Sequence, residues 1–196
     1  MKIGVVSDLT GGADICSPVT DLSTLQANAY LGVDETVLFA LSSPKEEYSF
    51  TNEALITICG DSAMSSKRMV LRFEYQTEPV RHVRFETCGV TDRDCELKFV
   101  MGAKEMSIDI VKAEQAMGQR FYRVLLELSR VQTENLRRWE FAKLALDASV
   151  RSMTVQDATG KMLVEQATNV HTWYAAAFEQ CNPRCYRDVL QRALAR

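Results

Sequence analysis

From Glu35 to Val111 apolar side chains recur at strand-like intervals, broken by turn residues. Thr36–Leu41 reads as a strand, Lys45-Glu46-Glu47 as a polar turn, and the pattern resumes at Tyr48-Ser49-Phe50. Ala54–Cys59 is almost wholly apolar and is followed by the turn signal Gly60-Asp61-Ser62. In Lys67–Tyr75 the alternation is explicit: Met69, Leu71, Phe73 and Tyr75 point one way, Arg68, Arg72 and Glu74 the other. After Pro79, Val83 and Phe85 oppose His82, Arg84 and Glu86. Glu96–Met101 and Met106–Val111, joined by Gly102-Ala103-Lys104, complete seven short strands. That spacing predicts a small sandwich or a partly open barrel.

The period then becomes helical. Ala113, Met117, Phe121, Val124, Leu125, Leu128 and Val131 trace one stripe over 113–131, an amphipathic helix suited to closing the open end of a barrel. Leu125 and Leu128 are expected to be buried there. Leu136, Trp139, Ala142, Leu146 and Val150 predict a further helix over about 133–152, with a break at Thr159-Gly160. Met162–Gln180 reads as another helix, and Asn182-Pro183 opens a last one that groups Tyr186, Val189, Leu190, Ala193 and Leu194. On the N-terminal side a short helix is expected over Pro18–Leu31, capped by Ser17 or Thr20. The implied organisation is a flexible arm at 1–19, a barrel domain at 20–131 and a helical extension at 132–196.

Three segments make the pattern more specific: Phe50-Thr-Asn-Glu-Ala-Leu-Ile-Thr-Ile58, then Ser65-Ser-Lys-Arg-Met-Val70, then Pro79 through Phe99 with its Glu86-Thr-Cys-Gly-Val-Thr-Asp-Arg-Asp-Cys-Glu-Leu-Lys98 core. In this order they resemble the bacterial pleckstrin-homology (PH) family, over roughly 35–131. The resemblance implies an α+β fold: a seven-stranded antiparallel barrel or sandwich closed by a C-terminal helix. The helices beyond 131 resemble the helical oligomerisation extension attached to some members. It also raises phosphoinositide binding, the activity most often attached to the PH fold. That activity usually needs a basic cluster in the loop between the first two strands.

Composition narrows the function classes. The 196-residue chain is 46% hydrophobic and 25% charged, which excludes global disorder. A net charge of −3, split as −5 over 1–131 and +2 over 132–196, excludes nucleic-acid binding through the whole surface. No apolar run is long enough to span a bilayer, and Met1–Pro18 does not read as a signal peptide. An intracellular, cytoplasmic protein is expected. The six cysteines then read as small buried hydrophobes rather than a disulfide framework.

The residues propose little chemistry. The only histidines, His82 and His171, have no nucleophile at triad-like spacing, so no catalytic residue is assigned. Cys181-x-x-x-Cys185 lacks a second ligand pair, so no metal and no cofactor are expected. Asp92 and Asp94 could share a side of an extended chain, yet read as a solvated turn. In the loop Ser42-Ser-Pro-Lys-Glu-Glu47 one lysine is followed by two carboxylates, a departure from the lipid-binding pattern. The remaining candidate anion or lipid cluster is Lys67, Arg68 and Arg72 with Arg84. Trp139, Phe141, Trp173, Tyr174, Phe178 and Tyr186 exceed what one small helical pair hides and are the candidate interaction surface. The expected function is a non-enzymatic protein-interaction or scaffold module, its helices mediating self-association or docking into a larger complex. The alternative is a peripheral membrane domain for anionic lipid.

Overall fold

Alternation of the strands resolves into two antiparallel sheets in the computed structural model, which describes residues 13–62, 66–152 and 160–196. β1 (Ser17–Pro18), β2 (Val37–Ser42), β3 (Glu46–Thr51), β4 (Ala54–Gly60) and β5 (Arg68–Glu74) form one sheet in that order. β6 (Val80–Glu86), β7 (Asp94–Met101) and β8 (Lys104–Val111) form the other. Three helices follow: α1 (Gln115–Ser152), α2 (Gly160–Cys181) and α3 (Arg187–Leu194). The chain divides into two compact units, one of residues up to Arg130 together with Arg184–Arg196, the other Val131–Pro183.

In the first unit the sheets and the start of α1 enclose one core. Along β7, Cys95, Leu97, Phe99 and Met101 are buried while Asp94, Glu96, Lys98 and Val100 face outward, the strand period written in burial. Phe39 stacks on Phe50 at 4.4 Å and on Phe121 of α1 at 4.7 Å, and Phe50 meets Phe99 at 6.1 Å. This run of rings ties the first sheet to the helix and to the second sheet. Phe121, Val124, Leu125 and Leu128 are buried, so the predicted stripe faces the barrel as expected. Gly118 allows the close approach: a Cβ there would stand 2.8 Å from the Phe85 ring.

Five local expectations are corrected. Residues 13–19 are strapped down rather than loose. The Cys16 N–H donates to Asp109 O at 2.7 Å, the Val111 N–H donates to Cys16 O at 3.0 Å, and Ser17–Pro18 pairs with Ser42 and Leu41 of β2. The segment thus bridges the two sheets; residues 1–12 lie outside the described residues. The helix expected over 18–31 is two 3-10 turns, Leu22–Thr24 and Gln26–Tyr30, parted by an extended Leu25. The cause is Glu47, whose carboxylate accepts the N–H groups of Gln26 at 3.0 Å and Ala27 at 2.9 Å. An α-helix would have used those donors itself. Glu46 and Glu47 accordingly belong to β3, not to a turn. The two helices expected over 113–131 and 133–152 are one, because no glycine or proline stands at their junction or anywhere from Gln119 to Ser152. The break at Thr159 lies outside the described residues.

The fifth correction concerns the C-terminus, which the sequence reading placed wholly in the extension. From Arg184 the chain rejoins the barrel unit. The Arg184 guanidinium pairs with Glu53 at 2.7 Å, the Tyr186 N–H donates to Asn52 O at 2.7 Å, and Arg187 donates to Asp34 O. The Tyr186 ring meets Tyr75 edge-on at 6.1 Å, and Leu190 and Ala193 are buried beneath α3. Tyr186 is 4% exposed, so it leaves the candidate interaction surface and joins the core. Periodicity shows that a helix has an apolar face, but not which surface receives it.

The second unit is a helical hairpin of the distal part of α1 and α2. Trp139 packs on Tyr174 at 4.8 Å and against Phe178 at 5.2 Å.

Candidate functional site

The loop Ser43–Lys45 is short and internally bonded. The Ser43 hydroxyl oxygen accepts from the Lys45 and Glu46 N–H groups, and Gly60 N–H donates to Lys45 O at 3.0 Å. Arg68 is hooked into this loop, donating to Lys45 O at 2.7 Å and Pro44 O at 3.1 Å. Arg72 forks between two carboxylates, Glu35 at 2.9 Å and Glu74 at 2.6 Å. Burial alone would raise the Glu35 carboxyl. Hydrogen bonds from Arg72, the Gly32 N–H and the Thr51 hydroxyl outweigh it and hold Glu35 below the ordinary carboxylate range. Lys67 is exposed and engaged, and Arg84 stands on β6 of the other sheet. The four cations chosen from sequence therefore lie on two sheets, and two of them hold the fold.

The outer face of the second sheet carries more charge than the sequence reading recognised. A register shift between Arg81 and Arg84 marks a bulge, with His82 at φ 53. His82, Arg84, Lys98, Val100, Glu105 and Ser107 border an open depression of about 490 Å³. A second depression of about 420 Å³ is edged by Asp14, Glu86, Asp92, Asp94, Glu96 and Asp109. Burial and the neighbouring Asp94, Glu96, Asp14 and Glu46 carboxylates push the Asp109 carboxyl up. Strand alternation offered the signal for this face, but cross-strand register is needed to assemble it.

Asp92 serves the turn, as the sequence implied: its carboxylate accepts the Gly89 N–H at 2.6 Å, while Asp94 lies on β7. Lys112 closes the same turn by donating to Gly89 O and Val90 O. Burial and the nearby Cys88 thiol raise Cys95 to about 12, so it stays a neutral thiol. Cys185 accepts from the Asn52 amide at 3.3 Å, and Cys181 ends α2. Among the described residues no group of three His, Cys, Asp or Glu could hold a metal ion, and no helix is long and apolar enough to cross a membrane.

The hairpin carries the apolar surface. Phe141 is 74% exposed, Leu144 67% and Val164 69%, with Trp173 and Phe178 nearly half exposed. Trp139 and Tyr174 are half-buried against each other. Of the sequence-chosen aromatics, the structure therefore brings Trp139, Tyr174 and Phe178 into one cluster and leaves Phe141 and Trp173 turned outward.

Comparison with known proteins agrees with this architecture. The family model for the bacterial PH domain matches residues 14–129. An uncharacterised protein, YvbH of Bacillus subtilis strain 168, is 31% identical over 150 residues, which is 74% of each chain. The crystal structure of a PH-domain-containing bacterial protein from Exiguobacterium sibiricum 255-15 superposes with a TM-score of 0.84. It is 29% identical and covers 92% of this chain and 100% of its own. A DUF1696-family protein with a PH domain, from Shewanella loihica PV-4, gives a TM-score of 0.46 at 22% identity, over 59% of this chain and 97% of its own.

Proposed function

The chain belongs to the bacterial PH-domain family, and from that premise we propose that it is a non-enzymatic interaction or scaffold module whose hairpin, Val131–Pro183, makes the contact. The family and its fold are generally non-catalytic. The observation that carries the reading is the outward apolar set Phe141, Leu144, Val164, Trp173 and Phe178 on only two helices. Two helices have one mutual interface, so side chains beyond it need another surface. Exposed apolar patches of this kind mark association sites. A second hairpin would bury them by completing a four-helix bundle, and a larger complex would do so by offering an apolar groove. The module takes no cofactor, binds no nucleic acid and works inside the cell.

The lipid alternative has less support. Arg68 and Arg72 would have to give up the loop carbonyls and the Glu35–Glu74 pair before they could clamp a phosphate. The deciding experiment is mass determination by light scattering on the full chain, beside flotation with anionic vesicles. Association abolished by Phe141→Glu with Trp173→Glu, and no flotation, is the expected result. A monomer that captures no partner, or vesicle binding lost in Arg68→Ala/Arg72→Ala, overturns it.

A further inference from the structure

β6 and β7 separate after Glu86, whose partner across the ladder is Glu96. One further step of pairing would set Thr87 opposite Cys95, with both side chains on the same side of the sheet. Cys95 is buried, yet Thr87 is exposed. The chain has therefore left the ladder at Thr87, and the half-buried Cys88 takes the inward place instead. Its thiol shares a hydrogen bond with that of Cys95. All six cysteines are free thiols, and among the described residues Cys88 and Cys95 are the only two that bond each other.

The turn that brings them together is shaped by its own residues. The Asp92 carboxylate accepts the Gly89 N–H, and a Cβ at Gly89 would stand 2.7 Å from that carboxylate, so the bend closes on a residue without a side chain. Lys112, between β8 and α1, donates from Nζ to Gly89 O at 2.6 Å and Val90 O at 3.1 Å, and from its backbone N–H to Arg93 O at 3.0 Å. The turn thus rests on the junction from which the closing helix starts. Cys95 is held on the central strand of its sheet, where it pairs with Ile110 and its Sγ donates to Ile110 O at 3.5 Å. Cys88 sits on a turn whose side-chain bonds are exposed, so the approach needed to join the sulfurs is taken up there.

We propose that Cys88 and Cys95 are a reversible thiol–disulfide site, oxidised by small disulfides, which staples the β6–β7 turn to β7 at the base of the closing helix. Cys88 acts first, because solvent reaches it and Cys95 is buried. Its thiolate attacks one sulfur of a small disulfide, RSSR. That S–S bond breaks, a mixed disulfide Cys88–S–SR forms, and one thiolate RS⁻ leaves. Cys95, kept protonated in the resting protein by burial and by its contact with Cys88, then yields its proton to solvent and attacks Cys88 Sγ. The Cys88–Cys95 bond forms and the second RS⁻ leaves. The two cysteines have lost two protons and two electrons, and RSSR has become two RSH. A dithiol reverses both steps. Oxidation closes a ring of eight residues, 88–95, which restricts the unfolded chain and fixes the turn in the folded one. The site does not rest on the hairpin contact, and its test reads no association.

The test incubates the full chain with oxidised glutathione, and a second sample afterwards with dithiothreitol. Free thiols are trapped with N-ethylmaleimide before tryptic mapping. Arg93 lies between the two cysteines, so trypsin puts Cys88 on 85–93 and Cys95 on 94–98, and the internal disulfide joins those two peptides. That joined pair is expected after oxidation and is lost after dithiothreitol. Cys95→Ser stops at a glutathione mixed disulfide on Cys88, and Cys88→Ser leaves Cys95 reduced. The native chain melts about 3–8 °C higher when oxidised, and neither variant gains this rise. The map and melt of the native chain decide the question by themselves if a variant does not fold. Peptides 85–93 and 94–98 left unjoined by oxidation, either one joined instead to the Cys59 or Cys185 peptide, or a joined pair with no rise in melting temperature overturns the proposal.

Discussion

The barrel unit and the hairpin unit are built from similar apolar content and use it in opposite ways. In the barrel, Phe39, Phe50, Phe99 and Phe121 are each 5% exposed or less, and on the apolar face of β5 Phe73 is buried while Met69 at the strand end stays exposed. Even the outer face of the first sheet is covered, where Ile56 and Ile58 meet Ala27 and Leu31 of the 3-10 segment. In the hairpin, Phe141, Leu144 and Val164 remain more than two-thirds exposed. A barrel encloses its core on several sides, whereas two helices can cover only one stripe each. Apolar residues in the barrel therefore act on stability, and those of the hairpin's outer faces act on association.

The sharpest way to break this contrast is to cut the chain. Removing 184–196 should destabilise the barrel by several kcal/mol, taking roughly 1.5–3 kcal/mol for each large buried side chain lost, chiefly Tyr186 and Leu190. Replacing 132–183 by a short linker should spare it. Urea denaturation of both variants measures the difference; equal stability would return 184–196 to the extension. Next in size is a matched pair of truncations. Leu125→Ala, at a site with no exposure, should cost about 2–5 kcal/mol. Phe141→Ala should cost under about 0.5 kcal/mol in the unassociated chain while weakening association. Comparable losses in the two variants would erase the distinction.

Overpacking gives a smaller probe. Gly118→Ala places a methyl 2.8 Å from the Phe85 ring and should cost about 1–3 kcal/mol, with Phe85→Leu recovering part of it. Smallest is a pH effect on the barrel. Glu35 has its carboxyl held below the ordinary 4.5 in the folded state, so its contribution is complete above the unfolded value and is lost as pH falls through the folded one. Thermal melts of the native chain should fall below about pH 4.5 more steeply than those of Glu35→Gln. Superimposable profiles would remove Arg72–Glu35 from the account of barrel stability.

The strands, the closing helix and the excess of aromatics beyond 131 were legible in the sequence because each rests on local periodicity, and period is a property of neighbouring residues. So were the departures from a lipid-binding loop, where Glu46 and Glu47 follow Lys45. Only the tertiary structure decided where carboxylates and termini go. Glu47 reaches back 21 residues to Gln26 and turns an expected helix into 3-10 turns; Arg184 reaches 131 residues to Glu53 and returns the C-terminus to the barrel. Arg68 and Arg72 read as free cations until their partners, Pro44, Lys45 and Glu35, were placed beside them. The charged depressions of the second sheet likewise exist only once the bulge and the register are set. Contacts distant along the chain depend on how loops close and strands align, and no residue's immediate neighbours carry that information.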